Sequence, residues 1–231
     1  MAALGKKIII LVLILAVPGF LYYLLTAKGK NRYKPLAIYG PKVVAKTGHK
    51  FHGQYIPDTI FHHLPAFNLT DQYGKPASEN TFKGKIFVAG FFYTHCPAVC
   101  ATINRNMGYL VDTYRKNKMV YFASITVDPD RDSSAVLRQY AESLKPASNR
   151  WLFLTGDTTS IYSLARNGFL VDALKAGNDD YIYSDKLILI DQEKRIRGYY
   201  SGANTNDINR LTDEIKVLIA EELRKVDKAL Y

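Results

Sequence analysis

Residues 85–100 read KIFVAGFFYTHCPAVC, an apolar run that ends in two cysteines. The part from Lys85 to Tyr93 predicts a buried strand, and the residues from Ala98 to Tyr114 place apolar side chains on one face of a helix. Cys96 and Cys100, the only cysteines of the chain, therefore lie where a strand turns into a helix. The dipole and the free N–H groups of a helix N-terminus stabilise a thiolate, so we expect the chemistry of the protein here.

The spacing of the two cysteines permits two chemistries. Residues four positions apart on a helical turn have Cα atoms about 6 Å apart, which suits a disulfide and also lets two sulfurs bind one soft metal ion. The alternative is a pair of buried small apolar side chains. Because the two cysteines flank Pro97 at a strand-to-helix turn, we favour a thiol or metal function over that alternative.

The rest of the chain alternates strands and helices in the order of a thioredoxin-like sheet. After the first strand and helix, a strand is predicted from Met119 to Val127, followed by a turn in which Asp132 or Ser133 can cap the next helix. The remaining predicted elements are a helix at 136–144, strands at 151–154, 186–191 and 195–201, a short helix at 158–167, and a last helix with apolar residues from Ile208 to Val226 and a capping pair of Asn204 and Asp207. The predicted fold class is α/β, a thioredoxin-like fold with a central mixed β-sheet flanked by helices.

An apolar segment from Ile8 to Leu25 precedes this domain, and basic residues flank it at both ends. Its length is close to that of a helix that crosses a hydrocarbon core of about 30 Å. We therefore predict an N-terminal transmembrane helix as a membrane anchor over residues 1–27, with a cleaved signal peptide as the alternative. The prolines and glycines of residues 28–63 predict an extended stalk, and the thioredoxin-like domain is predicted at residues 64–231.

The formal net charge of +10 at pH 7 would suit an anionic partner such as nucleic acid or a lipid surface. Lysines and arginines are spread along the whole chain and form no stripe, so we reject nucleic acid as a partner. The acidic turn at residues 128–132 can be read as a metal site, but a turn with a helix cap explains it more simply. Structural or surface roles are expected for His62 and His63, and His95 either tunes the neighbouring thiol or faces solvent.

Five strings occur along the chain in one order: PAFNLTDQYGK (65–75), FFYTHCPAVC (91–100), ITVDPDRD (125–132), WLFLTG (151–156) and LILID (187–191). Together with the apolar N-terminal segment, they resemble the Sco/SenC family of membrane-anchored, thioredoxin-like copper proteins. The resemblance implies a protein that helps to build the dinuclear copper centre of cytochrome c oxidase, by delivering copper or by keeping the oxidase cysteines reduced. It also implies that Cys96 and Cys100 bind copper and form a redox-active disulfide.

The partners implied by the resemblance are the copper subunit of cytochrome c oxidase or other thiol and copper proteins. With no mitochondrial transit sequence before the apolar segment, we expect the bacterial inner membrane, with the domain facing the periplasm. A cysteine pair outside the cytoplasm can cycle through a disulfide.

The third copper ligand of the family is a histidine, and the corresponding position here is Tyr183. The five histidines of this chain all precede Cys96, so no histidine can take the position by a shift of the alignment. Cuprous ion prefers thiolate and imidazole ligands, and a neutral phenol is a poor substitute. We therefore expect a weak or altered copper site, to which Tyr183 as a phenolate or Asp185 through an oxygen could contribute.

Three functional classes follow from these residues. The first is a thiol-disulfide oxidoreductase or redox sensor that uses the thiols alone, and the second is a copper chaperone with an altered third ligand. The third is a peroxidase on the same fold, which is disfavoured because Thr94 stands two residues before Cys96 instead of three, and no proline lies just upstream. A general thioredoxin-type reductase is disfavoured as well, since the last proline is Pro146 and no cis-proline can face the thiols.

Overall fold

The computed structural model describes residues 2–24, 35–96, 98–177 and 181–229. The chain divides into two units, Met1–Lys34 and Pro35–Tyr231. The first unit contains helix α1 (Ala2–Tyr23), with Pro18 inside it. Among the described residues, no helix is both long and apolar enough to cross a membrane. The predicted anchor is thus not confirmed, and part of it, residues 25–27, lies outside the described residues.

The second unit alternates strands and helices. In chain order its elements are β1 (Lys42–Phe51), β2 (Gln54–Phe61), β3 (Asn68–Asp71), β4 (Pro76–Ser78), β5 (Ile86–Phe92), α2 (Ala98–Thr113), β6 (Val120–Thr126), α3 (Ser134–Leu144), β7 (Trp151–Thr155), α4 (Thr158–Ser163), a π-helical turn (Leu164–Phe169), β8 (Ala173–Lys175), β9 (Tyr181–Tyr183), β10 (Lys186–Ile190), β11 (Ile196–Ser201) and α5 (Thr205–Ala229).

Seven of these strands form a mixed sheet in the order β11-β10-β5-β6-β7-β3-β4. The central strands β5, β6 and β7 run parallel, while β10 and β3 pair antiparallel with β5 and β7. Two further antiparallel hairpins, β1-β2 and β8-β9, lie outside this sheet. The α/β thioredoxin-like fold with a central mixed sheet, predicted from the order of elements, is confirmed.

Strand β5 is buried along its whole length because both faces of the sheet are covered. Val88 and Phe92 pack into one core, which includes apolar residues of α2, α3 and α5. Phe87 and Phe91 point to the opposite core, which includes residues of α4 and the π-helical turn. Side chains alternate between the two faces of a strand, which explains this division. The two cores together hold the end of β5 next to the cysteines.

The predicted strands and helices of the main sheet agree with the structure apart from small differences at their ends, whereas the sequence did not predict β1 to β4, β8 and β9. Of the two candidate caps of α3, Ser133 is the residue whose side chain accepts from the Val136 N–H. The predicted short helix at 158–167 is an α-helix that continues as a π-helical turn. At α5, Asn204 accepts from two backbone N–H groups of the first turn, while Asp207 accepts from the Ser201 N–H, which lies outside the helix.

Residues 35–63, which belong to the predicted stalk, have defined structure in the second unit. Tyr39 forms an isolated bridge with Ile196 at the sheet edge, and residues 42–61 form the β1-β2 hairpin. The His62 ring donates from Nε2 to the Gly168 carbonyl at 2.7 Å, which is the structural role expected for it. The domain boundaries at residues 27 and 63 stay predictions, and residues 28–34 lie outside the described residues.

Candidate functional site: a disulfide beneath a tyrosine hydroxyl

Cys96 and Cys100 form a disulfide where β5 gives way to α2, with Cα atoms 5.8 Å apart. Cys100 lies in the first turn of α2 and is only 2 % exposed, whereas Cys96 precedes the helix and is partly exposed. Pro97, between them, lies outside the described residues. The two cysteine residues therefore differ in their access to solvent, and Cys96 is the more exposed.

The loop before Cys96 is held by a buried aspartate. Asp132 is fully buried, and its carboxylate accepts from the Thr94 N–H at 3.1 Å and from the Thr94 hydroxyl at 2.5 Å. The Thr126 hydroxyl at the end of β6 donates to the same carboxylate at 2.5 Å. The sequence places Asp132 in a turn that caps a helix or binds a metal, and the structure shows a further role for it, which is to hold the loop that leads to the disulfide.

Tyr183 lies directly over the disulfide. Its hydroxyl oxygen is 2.8 Å from Cys100 Sγ and 3.1 Å from Cys96 Sγ. Since disulfide sulfurs carry no hydrogen, the phenol is the donor and its single proton is directed at the pair. The small β8-β9 hairpin sets this position, because Tyr183 pairs with Ala173 and the Ser184 N–H donates to the Asp172 carbonyl.

The electrostatic surroundings keep the Tyr183 phenol protonated. Burial, and to a smaller extent the neighbouring Tyr93 and Asp185, raise the pKa of Tyr183 to about 12. A phenol with that pKa is a hydrogen-bond donor at neutral pH and not an anionic ligand. The phenolate that the sequence allowed as a copper ligand is therefore not the form of Tyr183 at neutral pH in the oxidised, metal-free protein.

Two further tyrosines surround this site. The Tyr93 ring packs on that of Tyr181 at 4.9 Å and on the edge of Tyr183 at 5.8 Å between centroids. Burial and the nearby Asp128 raise the pKa of Tyr181. Sequence reasoning missed Tyr93 and Tyr181, although the alternation of Tyr181 and Tyr183 along one strand places both on the same face.

The other sequence candidates lie apart from the sulfurs or are engaged elsewhere. The Asp185 carboxylate, which the sequence allowed as an extra oxygen ligand, accepts from the Ser201 hydroxyl at 2.6 Å and pairs with Lys186 at 3.2 Å. His95 is exposed, with its Nδ1 3.1 Å from the Thr94 hydroxyl oxygen. Within the described ranges, no group of three or more His, Cys, Asp or Glu side chains is arranged to hold a metal ion.

Comparisons with known proteins identify the family of this chain. The family model described as SCO1/SenC matches residues 59–220. The chain belongs to the SCO1/SenC family. It is 31% identical over 209 residues to an SCO2-like protein of Rickettsia typhi, which covers 87% of this chain and 94% of that protein.

Solved Sco structures have the same fold. A SCO1/SenC family lipoprotein from Bacillus anthracis is similar with a TM-score of 0.64 and 30% identity, covering 68% of this chain and 95% of that one. Arabidopsis thaliana ScoI, solved with copper bound, is similar with a TM-score of 0.58 and 26% identity over 70% of this chain and 98% of that one. Proteins of the Sco family take part in cytochrome c oxidase assembly and copper handling.

Proposed function

We propose that this Sco/SenC chain acts in assembly of the copper centre of cytochrome c oxidase as a thiol-disulfide reductant for the cysteines of the oxidase copper subunit. The observation that carries the proposal is the disulfide with one partly exposed and one buried sulfur at a helix N-terminus. Reduced Cys96 attacks the oxidised cysteines of the subunit, and Cys100 then resolves the mixed disulfide. Two electrons pass from the Cys96–Cys100 dithiol to the subunit, whose cysteines become thiols able to bind copper.

The second candidate function is delivery of copper by the same two sulfurs. It is favoured by the position of the Tyr183 oxygen within about 3 Å of both sulfurs, which brings three possible ligand atoms together. As a disulfide the pair offers no thiolate, so copper would bind only after reduction. A neutral phenol in place of the family histidine makes that site weaker, which is why we place thiol chemistry first.

A third candidate is thiol-disulfide exchange or redox sensing that serves no copper site. The same disulfide supports this candidate. It differs from the first candidate in its partner protein, which would not be the copper subunit of the oxidase.

Trapping tests the first proposal. A Cys100→Ser variant keeps the attacking thiol and loses the resolving one, so it should accumulate a mixed disulfide between Cys96 and the oxidised copper subunit. The matched control, Cys96→Ser, should accumulate none. Trapping by the control alone would reverse the roles of the two cysteines, and no trapping by either variant, with the wild type unable to reduce the subunit, would refute the function.

We also propose that residues 1–27 anchor the protein in a bacterial inner membrane with the domain on the periplasmic side. Support comes from the apolar run of the sequence and from the chemistry of the cysteine pair, which cycles through a disulfide in an oxidising compartment. The full-length protein should stay in the membrane through alkaline carbonate extraction, and protease added to spheroplasts should digest the domain. Release by carbonate, or protection of the domain, would contradict the proposal.

A further inference from the structure

The tyrosine over the disulfide has no role in a purely two-cysteine mechanism, yet it touches both reacting sulfurs. The Tyr183 hydroxyl is closer to Cys100 Sγ, at 2.8 Å, than to Cys96 Sγ, at 3.1 Å. This asymmetry favours the buried sulfur, which is the one that has least water around it. A charge that develops on a buried atom is costly unless a donor in the protein meets it.

We propose that Tyr183 is a catalytic residue of thiol-disulfide exchange, whose hydroxyl donates a hydrogen bond to Cys100 Sγ as that sulfur becomes a thiolate. This assignment rests on the proposed function as a thiol-disulfide reductant. It goes beyond that function because it gives a chemical task to a residue that stands where the family places a copper ligand.

The step balances without a further reactant. An incoming thiolate attacks the partly exposed Cys96 Sγ, a bond forms between the incoming sulfur and Cys96, and the Cys96–Cys100 bond breaks. The electron pair of the broken bond goes to Cys100 Sγ, which leaves as a thiolate. Tyr183 keeps its proton throughout and stabilises the new negative charge through the hydrogen bond that it already makes to the disulfide.

Two features of the structure stabilise negative charge on Cys100 Sγ, the leaving sulfur. The N-terminus of α2 places partial positive charge next to Cys100, and the Tyr183 phenol adds a hydrogen-bond donor directed at the same sulfur. A better stabilised thiolate leaves faster, so the rate of reduction rises with the strength of this hydrogen bond. In the reverse direction the same contact stabilises the attacking Cys100 thiolate as well as the transition state, so the rate at which the reduced pair passes electrons to a partner changes little.

The β8-β9 hairpin and a neighbouring ring hold the Tyr183 phenol in place, in addition to its contact with the sulfurs. Tyr183 is held by the β8-β9 pairing, and its ring meets the edge of the Tyr93 ring. The hydroxyl thus stays over the pair when the sulfur–sulfur bond opens, which is the preorganisation that makes a hydrogen bond effective in catalysis.

The test removes the hydroxyl and keeps the ring. In the full-length chain, Tyr183→Phe should lower the second-order rate constant for reduction by dithiothreitol about tenfold, as expected for loss of a hydrogen bond to a charged group. It should also lower the equilibrium constant for reduction about tenfold, a shift of the midpoint potential by about 30 mV to more negative values. The matched control is Tyr181→Phe, which removes a hydroxyl from the same strand that lies near Asp128 instead; it should react as the wild type does.

The outcomes separate the two proposals. Equal rates and potentials in wild type, Tyr183→Phe and Tyr181→Phe would overturn the role of Tyr183 while leaving the exchange reaction intact. A Tyr183→Phe variant that loses cuprous affinity but exchanges thiols normally would also overturn it, and would make Tyr183 a copper ligand. A wild-type disulfide that neither dithiothreitol nor the oxidase copper subunit can exchange with would instead refute the proposed function itself.

Discussion

A fully buried aspartate lies at each end of the central sheet, and the two carboxylates accept hydrogen bonds from different kinds of donor. At the end where β5 reaches the disulfide, Asp132 accepts hydrogen bonds from Thr94 and Thr126, which are neutral donors. At the other end Asp191, which follows the antiparallel strand β10, pairs with Arg195 at 2.8 Å and Arg197 at 3.1 Å. The hydrogen-bond network from Thr94 and Thr126 to Asp132 thus has neutral donors, whereas that of Asp191 has cationic donors.

This difference predicts what each end does for the protein. A fixed cation beside the sulfurs would stabilise thiolates permanently, whereas hydroxyl donors position the loop without adding charge. Arg197 at the far end joins Asp191, Glu221 of α5 and the carbonyls of Leu36 and Ala37, so it ties four chain segments together. We therefore expect changes at the far end to alter stability, and changes at the disulfide end to alter sulfur chemistry.

The largest effect on stability is expected from Arg197→Met. The variant removes the Arg197 guanidinium from buried Asp191, which keeps its pair with Arg195, and also from Glu221 and two backbone carbonyls. It should lower the free energy of unfolding by about 3 to 5 kcal/mol. Denaturant titration of the oxidised protein measures this. The potential of the disulfide should stay unchanged, because Arg197 acts at the opposite end of the sheet.

The control for this change is Arg138→Met, which breaks an exposed pair with Glu142 and should cost less than about 1 kcal/mol. A loss for Arg197→Met as small as that of the control would show that the ionic network is not structural. A shift of the potential would show that the two ends are coupled.

The sequence predicted the elements of the disulfide end but not the hydrogen bonds of its buried aspartate. The strand, the helix and the cysteine pair follow from local patterns, namely an apolar run, helical periodicity and the spacing of two residues, and these predictions agree with the structure. The clamp of Asp132 on Thr94 joins residues far apart in the chain, so a local reading assigned Asp132 to the nearest helix as a cap. Local patterns do not specify which donor a buried carboxylate finds in the fold.

Tyr183 shows the same limit in another form. The resemblance to a family marked its position as that of a metal ligand, but only the fold shows a hydroxyl at hydrogen-bond distance from both sulfurs. Its protonation depends on burial and on neighbours that come from other strands, which no local pattern contains. The sequence identified the residue, and the structure adds a hydrogen bond to both sulfurs that the sequence did not predict.

A smaller effect, on copper, is expected from Tyr183→His at the disulfide end. An imidazole in place of the neutral phenol completes a site of two thiolates and one nitrogen, so the reduced variant should bind cuprous ion about tenfold more tightly or better. Thiol exchange should persist, because an imidazole N–H is also a hydrogen-bond donor. Competition with a chelator at fixed pH compares the variant with wild type.

Tyr181→His is the matched control for the copper measurement, since it adds an imidazole in the same strand beside Asp128 and not over the sulfurs. Equal affinities in wild type and Tyr183→His would mean that another group completes the site or that Tyr183 already does so. An equal gain in the control would mean that the added imidazole acts without approaching the sulfurs.

The smallest effect is expected from Asp132→Asn. The Asn side chain has one acceptor oxygen where Asp132 uses two, so at least one hydrogen bond from Thr94 or Thr126 is lost. We expect a loss of about 1 to 2 kcal/mol in the free energy of unfolding. We also expect faster hydrogen exchange at the Thr94 amide, because the loop before Cys96 then opens more often.

Asp157→Asn is the control, because Asp157 caps α4 at the surface and asparagine is an equally good cap. It should leave both the stability and the Thr94 exchange rate unchanged. If Asp132→Asn lowers stability without changing exchange at Thr94, the carboxylate supports the fold as Asp191 does, and the contrast between the two ends fails. If exchange at Thr94 rises and the rate of disulfide reduction changes with it, the neutral network is what holds Cys96 in place for attack.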